Sequence, residues 1–418
     1  MPKNNRIFYG WIVAIAGAIA LFASGTLQYS FGVFVKPLAD QFGWSRAAIS
    51  ACISIRSIVV TLACPPVGIF SDRYGPRKFM LIGIISVALG YFLVTQVNSL
   101  WQLYLYLGGL TGIGLAAYYV PMASTVTRWF GGKSALANGI AMSGFSLAQM
   151  ILPPLATYIV LQYGLDTCFI VLAIVSLVIG TSAWSFIRTP PTVSSRTALN
   201  TVIENDENKG ENPTGDEDNY KLSEALHTRT FWLLIVIYMA IAICFQMVIV
   251  HIIAAAIDKG NAPNTAAIIV TLSGLTNTIG RLTLTTLARK AGNKVVYTIG
   301  LAIQALVLYL LVGASRLPVF YIIAAVYGLV YGGVTPLVPT LTGSFFGMKY
   351  LGSIFGVITT AYTAGSAIGP FVAGYIFDAT GSYFMAFLFA AIAMTIAFLL
   401  SLILKPPQRK SLASRVAS

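Results

Sequence analysis

The stretch Ala266-Ala-Ile-Ile-Val-Thr-Leu-Ser-Gly-Leu-Thr-Asn277-Thr-Ile-Gly-Arg281-Leu-Thr-Leu-Thr-Thr-Leu-Ala288 holds a single charge, Arg281, deep inside it. A helix of about 20 residues, rising 1.5 Å per residue, crosses a hydrocarbon core of about 30 Å. A fixed charge near the centre of such a span costs about 3 kcal/mol on insertion scales, so residues of this kind face a watery cavity or a partner. Asn277 stands one helical turn before Arg281 and on the same face. An amide and a guanidinium placed so form a candidate anion site inside a membrane.

The rest of the chain supports a membrane reading. Of its 418 residues 57% are hydrophobic and only 9% charged, which places it outside the composition of soluble proteins. Twelve apolar stretches long enough to span recur at about 9–35, 46–70, 77–98, 101–127, 134–162, 167–188, 230–256, 263–288, 295–314, 317–344, 350–377 and 382–404. The fold class expected is an all-α integral membrane protein of twelve transmembrane helices. The first stretch is too long and too weakly basic at its start for a secretory signal, and is read as a retained span.

Charge placement orients the spans. Of 26 Lys and Arg, Lys36, Arg46, Lys259 and Arg316 fall in outer loops and Arg56 and Arg281 within spans, so 26 less these six leaves 20 on the inner side. The positive-inside rule then puts both termini in the cytoplasm. The net charge of +13 is spread over short loops on one face, which suits anionic lipid headgroups rather than nucleic acid. Cys52, Cys64, Cys168 and Cys244 sit in apolar spans without metal or disulfide spacing and read as packing residues. No nucleophile–base pair, metal-ligand cluster or cofactor motif is present. Gly131-Gly132-Lys133-Ser134 resembles the end of a phosphate loop, but Thr127 stands where the first glycine is needed and no strand precedes it.

Between Arg188 and Arg229 the hydropathy collapses into a linker holding eight of the 13 acidic residues. Four segments follow: a six-helix bundle over 1–188, a cytoplasmic linker over 189–228, a second six-helix bundle over 229–404, and a basic cytoplasmic tail over 405–418. Thr192 to Asn219 has the composition of disorder, and Leu222 to His227 suits a short interfacial helix. The halves resemble each other at an offset near 216, with Gly112 matching Gly328 and Trp129-Phe-Gly-Gly-Lys133 matching Phe345-Phe-Gly-Met-Lys349. Two six-helix repeats joined by a polar linker are the arrangement of transporters that rock two bundles about a central site.

The loop after the second span reads Gly68-Ile-Phe-Ser-Asp72-Arg73-Tyr-Gly75-Pro-Arg77-Lys78. It resembles the G-x-x-x-D-x-x-G-R-K signature of the major facilitator superfamily, with Pro76 ahead of the basic pair. Asp72 is suited to accept charge-assisted bonds from a helix start or from an arginine across the cytoplasmic seam, making Asp72, Arg73, Arg77 and Lys78 a candidate cytoplasmic gate. The alternative is a solvated turn with topological basic residues. The counterpart Ala288-Arg-Lys-Ala-Gly-Asn-Lys294 lacks the acid, so an asymmetric latch is expected.

Tyr9-Gly10-Trp11, Tyr29-Ser-Phe-Gly-Val-Phe-Val-Lys36-Pro37-Leu38, Phe42-Gly43-Trp44-Ser45-Arg46, Trp129-Phe130, Ala137-Asn-Gly139 and Arg281 together are similar to the monocarboxylate transporter branch of that superfamily, including its bacterial oxalate–formate antiporter relatives. The resemblance covers all of the chain except linker and tail. It implies a monomeric carrier of small carboxylates such as lactate or pyruvate, often with a proton. The departures are informative. Asn277 stands where animal members have an aspartate, Tyr29 where they have a lysine, and Tyr362 where oxalate carriers have a second cation. A single deep arginine suits one carboxylate better than two.

Within that frame Arg281 offers a planar fork for a carboxylate and Asn277 a second donor, against the alternative of an arginine satisfied by backbone carbonyls and water. Tyr29, Tyr118, Tyr119, Tyr331 and Tyr362 lie on spans that line the cavity in the resembled fold. Tyr119 and Tyr331 are favoured, since both sit at mid-depth near matched glycines. His251 stands in two readings, as the holder of a co-transported proton or as a neutral hydrogen-bonded core residue. Arg56 is the rival deep cation, read as structural or as an attractor of anions. Gly365 to Gly374 suits close helix approach. The expected function is symport of a small monocarboxylate with a proton by alternating access, the alternatives being anion exchange or efflux of larger compounds.

Overall fold

The computed structural model describes residues 8–189 and 219–407, except for some side chains within 26–36, 46–50 and 263–267. The segment 190–218, read from sequence as disordered, and the tail beyond 407 lie outside the described residues.

The first span is two helices, α1 (Tyr9–Ser24) and α2 (Thr26–Phe42), separated at Gly25. It is followed by α3 (Arg46–Tyr74), α4 (Pro76–Val94) and α5 (Leu100–Leu103), which passes through a π-helical turn at Tyr104–Leu110 into α6 (Thr111–Phe130). A single 3₁₀ turn, Gly131–Lys133, leads into α7 (Ser134–Tyr163), and α8 (Leu165–Phe186) closes the first half. After the short α9 (Leu222–Ala225) come α10 (Arg229–Asp258), α11 (Pro263–Ala291), α12 (Asn293–Val312), α13 (Leu317–Val334), α14 (Leu337–Phe346), α15 (Leu351–Thr380) and α16 (Phe384–Leu402). Among the described residues nine helical stretches are long and apolar enough to cross a membrane, and one of them, Leu100–Tyr163, runs through two of the predicted spans. Of the predicted spans outside these nine, the first has only the shorter α1 as an apolar helix, and the eighth is α11, diluted by threonines, Arg281, Arg289 and Lys290. Large side chains such as Leu62, Leu161, Ile322 and Phe371 lie exposed on the outer faces, as lipid contact requires.

Two predicted boundaries shift. The first span continues through Lys36 and Pro37 to Phe42, because a proline this near a helix end removes one hydrogen bond where solvent can replace it, and Gly43 at φ 68° stops the helix instead. The second span continues to Tyr74, so Asp72 and Arg73 belong to its last turn rather than to a loop. Gly75, at φ 88°, makes the whole connection, and Pro76 opens α4 at a position where its missing N–H costs nothing.

The repeat is written into the turns. Among the described residues the eight glycines at positive φ fall into four pairs, Gly43 with Gly260, Gly75 with Gly292, Gly131 with Gly347 and Gly164 with Gly381, each separated by 216 or 217 positions. Gly112 and Gly328 do equivalent work: a Cβ on the first would lie 3.2 Å from the Arg56 carbonyl on α3, and on the second 2.4 Å from the Ser273 carbonyl on α11. Within the first half α1 packs on α7 and α8, and α4 on α6 and α8; within the second, α10 packs on α15 and α16, and α11 on α13. The halves meet chiefly along α3 against α15 and α7 against α11. The four cysteines are buried packing residues.

Candidate functional site

Arg281 reaches the middle of the molecule from α11 and is only 6% exposed. Its Nε donates to Asn277 Oδ1 at 2.9 Å and its Nη1 to the Met142 carbonyl of α7 at 2.6 Å, so the guanidinium bridges the two halves. Asn277 Oδ1 also accepts from Ser146 Oγ of α7 at 3.4 Å. With its oxygen turned to two donors, Asn277 keeps its amide N–H groups free for another partner. Neither Asn277 Nδ2 nor Arg281 Nη2 bonds any other group among the described residues. Two donors on buried side chains, one of them cationic, suit an anion.

Aromatic side chains close the other side. Tyr119 of α6 packs on Phe145 of α7 and on Phe355 of α15, with ring centroids 5.9 Å apart in each case. Its hydroxyl bonds that of Tyr238 of α10 at 3.1 Å, across the halves. Tyr238 packs on Tyr362 with centroids 4.8 Å apart and the rings tilted by 34°, and Tyr362 bonds Tyr331 hydroxyl to hydroxyl. Phe245 lies flat on Tyr331 at 3.6 Å. Three of the tyrosines singled out from sequence, Tyr119, Tyr331 and Tyr362, therefore join, through Tyr238, in one cluster across the halves. Tyr118 does not: it points from α6 toward Gly83 of α4 and Gly180 of α8 and is a packing residue. Tyr29 lies on α2, and its side chain is outside the described residues. Tyr238 was missed in the sequence, where nothing separates it from the other tyrosines of an apolar span.

His251 sits elsewhere on α10, thirteen residues past Tyr238 and hence about 20 Å further along the axis. Its Nε2 faces the Pro370 carbonyl at 3.1 Å and its Nδ1 the Tyr383 hydroxyl at 3.2 Å. A carbonyl only accepts, so Nε2 carries the hydrogen and Nδ1 faces the Tyr383 hydroxyl. Burial, with the Asp258 and Asp378 carboxylates nearby, raises the Tyr383 pKa and keeps it a hydroxyl. Arg56 is buried on α3, in the first half.

On the face that carries the described ends of the linker and the start of the tail, the halves are latched through Asp72. Asp72 pairs with Arg128 of α6 and accepts from Gly352 N at 3.1 Å, Ser353 N at 2.6 Å and Ser353 Oγ at 2.6 Å. These donors belong to the first turn of α15, which has no side-chain cap of its own, so a carboxylate of one half caps a helix of the other. The arginine comes from Asp72's own half, not from across the seam, and crosses it by donating to the Met348 carbonyl at 2.9 Å and the Lys349 carbonyl at 3.1 Å. Of the basic residues grouped with Asp72 from sequence, Arg77 lies over Trp184 and Arg73 over Tyr74, and Arg73 and Lys78 are exposed. The counterpart turn makes no ion pair among the described residues; there Asn293 Nδ2 donates to the Gly132 carbonyl at 3.1 Å.

Glycines set how closely the seam shuts. A Cβ on Gly68 would lie 2.2 Å from the Gly352 carbonyl, and one on Gly139 2.3 Å from the Arg281 carbonyl. The run from Gly365 instead packs α15 on α10 within one half, with Gly369 against the Ile243 carbonyl. Gly139→Ala is therefore expected to prise the linker face open without disturbing either half's core. A clash of this kind costs about 1–3 kcal/mol, so the share of molecules open on this face should rise about tenfold, read as a longer distance between spin labels on the exposed Lys133 and Lys290, while the melting temperature of the detergent-solubilised protein stays within a few degrees. A label distance matching the wild type would show that this contact does not hold the seam.

The family model for the Major Facilitator Superfamily matches residues 17–260 and 249–417. Monocarboxylate transporter 12 of Mus musculus is 24% identical over 409 residues, covering 92% of this chain and 83% of the relative. The oxalate:formate antiporter of Oxalobacter formigenes is 25% identical over 405 residues, covering 96% and 92%. The solved structure of the proton:xylose symporter XylE superposes with a TM-score of 0.76 at 13% identity, covering 96% of each chain.

Proposed function

Since this chain belongs to the Major Facilitator Superfamily, and is a transporter rather than an enzyme, we propose that it carries a small monocarboxylate, lactate-like or pyruvate-like, together with a proton by alternating access. The observation that carries this reading is the pair of donors on buried side chains, Arg281 Nη2 and Asn277 Nδ2, with no partner of their own among the described residues. One carboxylate matches the two donors and the one charge. A dicarboxylate would bring a second negative charge for which the ring of tyrosines supplies no cation. A monocarboxylate transporter and an oxalate:formate antiporter among the relatives are both carriers of small carboxylates, the second of a dicarboxylate as well as a monocarboxylate.

An anion and a proton together are neutral, which lowers the cost of enclosing them in a low-dielectric centre. The proton is held on His251 Nδ1 or travels with the anion. In this reading the linker face is cytoplasmic, the protein is a monomer of the bacterial inner membrane, and Asp72 latches the cytoplasmic side while the substrate docks from outside. The halves are the segments 1–188 and 229–404, rocking about α3–α15 and α7–α11.

Uptake of radiolabelled L-lactate into proteoliposomes tests the proposal. Accumulation that requires an acidic exterior supports symport. Uptake only into vesicles preloaded with another acid establishes exchange instead, and indifference to short acids under both conditions overturns the carboxylate reading. In His251→Gln, accumulation driven by the pH gradient should drop about tenfold or more, while exchange of labelled for unlabelled lactate persists. Gradient-driven accumulation at the wild-type level would assign the proton to the substrate path.

A further inference from the structure

We infer that the end of the linker is a working part of the latch: Asn219 and Tyr220 are positioning residues that hold the turn 347–350 in the shape that receives Arg128. The attachment of the linker then sets how firmly the linker face shuts. This rests on the latch at Asp72 and not on the substrate proposed above.

The turn joins α14 to α15 and lies outside both helices, and Gly347 enters it at φ 84°. Backbone groups beyond a helix end have no ladder to bond them and take partners from elsewhere. The linker supplies two. Asn219 Oδ1 accepts from Lys349 N at 3.1 Å, and Tyr220 N donates at 2.9 Å to the carbonyl of Phe346, the last residue of α14. The Tyr220 ring is 7% exposed and stands edge-on to Phe346 with centroids 5.8 Å apart. Its hydroxyl donates to the Pro407 carbonyl at 3.0 Å, which pins the start of the tail at the same place. A Cβ on Gly347 would lie 2.4 Å from Asn219 Oδ1, so the glycine serves the approach of the linker as well as the turn. Met348 and Lys349, whose carbonyls Arg128 bonds across the seam, belong to the stretch fastened in this way. Lys349 thus gives its N–H to the linker and its carbonyl to the latch.

The other end of the linker makes a matching contact. Trp129, the neighbour of Arg128, donates from Nε1 to the Arg188 carbonyl at 3.0 Å, and Arg188 lies over the ring of Tyr9. Trp129 and Phe345 are equivalent positions of the repeat. The linker is therefore fastened at equivalent places in the two halves, each next to a partner of the latch.

The test needs no substrate. The ratio of open to closed molecules is read from the distance between spin labels on the exposed Lys133 and Lys290. Asn219→Ala, which takes the acceptor from Lys349 N, should raise that ratio about fivefold. Asn219→Asp, whose carboxylate accepts the same bond, should stay within about twofold of the wild type. Tyr220→Ala, which removes the ring seated on Phe346, should open the face at least as far as Asn219→Ala. In an Arg128→Ala background, adding Asn219→Ala should change the ratio by less than about twofold, because the turn no longer has an arginine to receive. Thr230→Val removes a bond to the Lys405 carbonyl without touching the turn, and should leave the distances as in the wild type. Melting temperatures check that each variant is folded. A wild-type distance distribution in Asn219→Ala overturns the inference. So does an equal opening in Thr230→Val, or a fivefold rise that persists without Arg128, which would make Asn219 a structural part of the second half alone. None of these results bears on the carboxylate reading, which lactate uptake tests separately.

Discussion

Arg281→Ala should lower kcat/KM for lactate by at least about 100-fold, the loss expected when the single cation of a buried anion site is removed. The guanidinium already spends Nε on Asn277 and Nη1 on the Met142 carbonyl, so Nη2 is held in place by the other two bonds. Arg281→Lys restores the charge but not the fork. An ammonium that reaches Asn277 or Met142 is no longer placed for the substrate, and the expected loss is still about tenfold or more. The pair of variants separates charge from geometry. Folding is checked on the same preparations: Arg281 is a buried charge that costs stability, so the alanine variant should melt no lower than wild type by more than a few degrees. A variant without Arg281 that takes up lactate with ordinary affinity would remove the anion site from this part of the molecule.

Arg281 and Asn277 were legible in the sequence because a membrane makes charge conspicuous: one guanidinium in a long apolar run is costly unless used, and helical spacing alone puts the amide beside it. The repeat was legible through glycine, since turns at positive φ tolerate little else, and the same turns recur one repeat later. Tyrosines were not legible. A phenol on a span costs little whether it faces lipid, core or cavity, so Tyr118 and Tyr119 look alike in sequence although the structure packs them against different helices. Tyr238 went unnoticed for the same reason, and its place in the cluster depends on a partner 119 positions away. Asp72 was recognisable, but not its use of Arg128, since that pairing is made only when α3 and α6 pack together.

Asp72→Asn should unlatch the linker face, shifting the ratio of closed to open molecules about 30-fold toward open, the equivalent of about 2 kcal/mol. The loss is one of charge and of sense. The carboxylate accepts from Gly352 N, Ser353 N and Ser353 Oγ while pairing with Arg128, and an amide turns an N–H toward one of those donors. Spin labels at Lys133 and Lys290, exposed positions on the two halves near the Asn293 to Gly132 contact, would report the change as a longer distance population. Lactate uptake should fall with it, because a carrier held open on one side completes few cycles. Arg73→Ala and Lys78→Ala supply the contrast: both side chains are exposed and outside the latch, so the label distances should stay as in the wild type. An Asp72→Asn distance distribution matching the wild type would mean that close packing of Gly68 on Gly352 holds the face shut without the carboxylate.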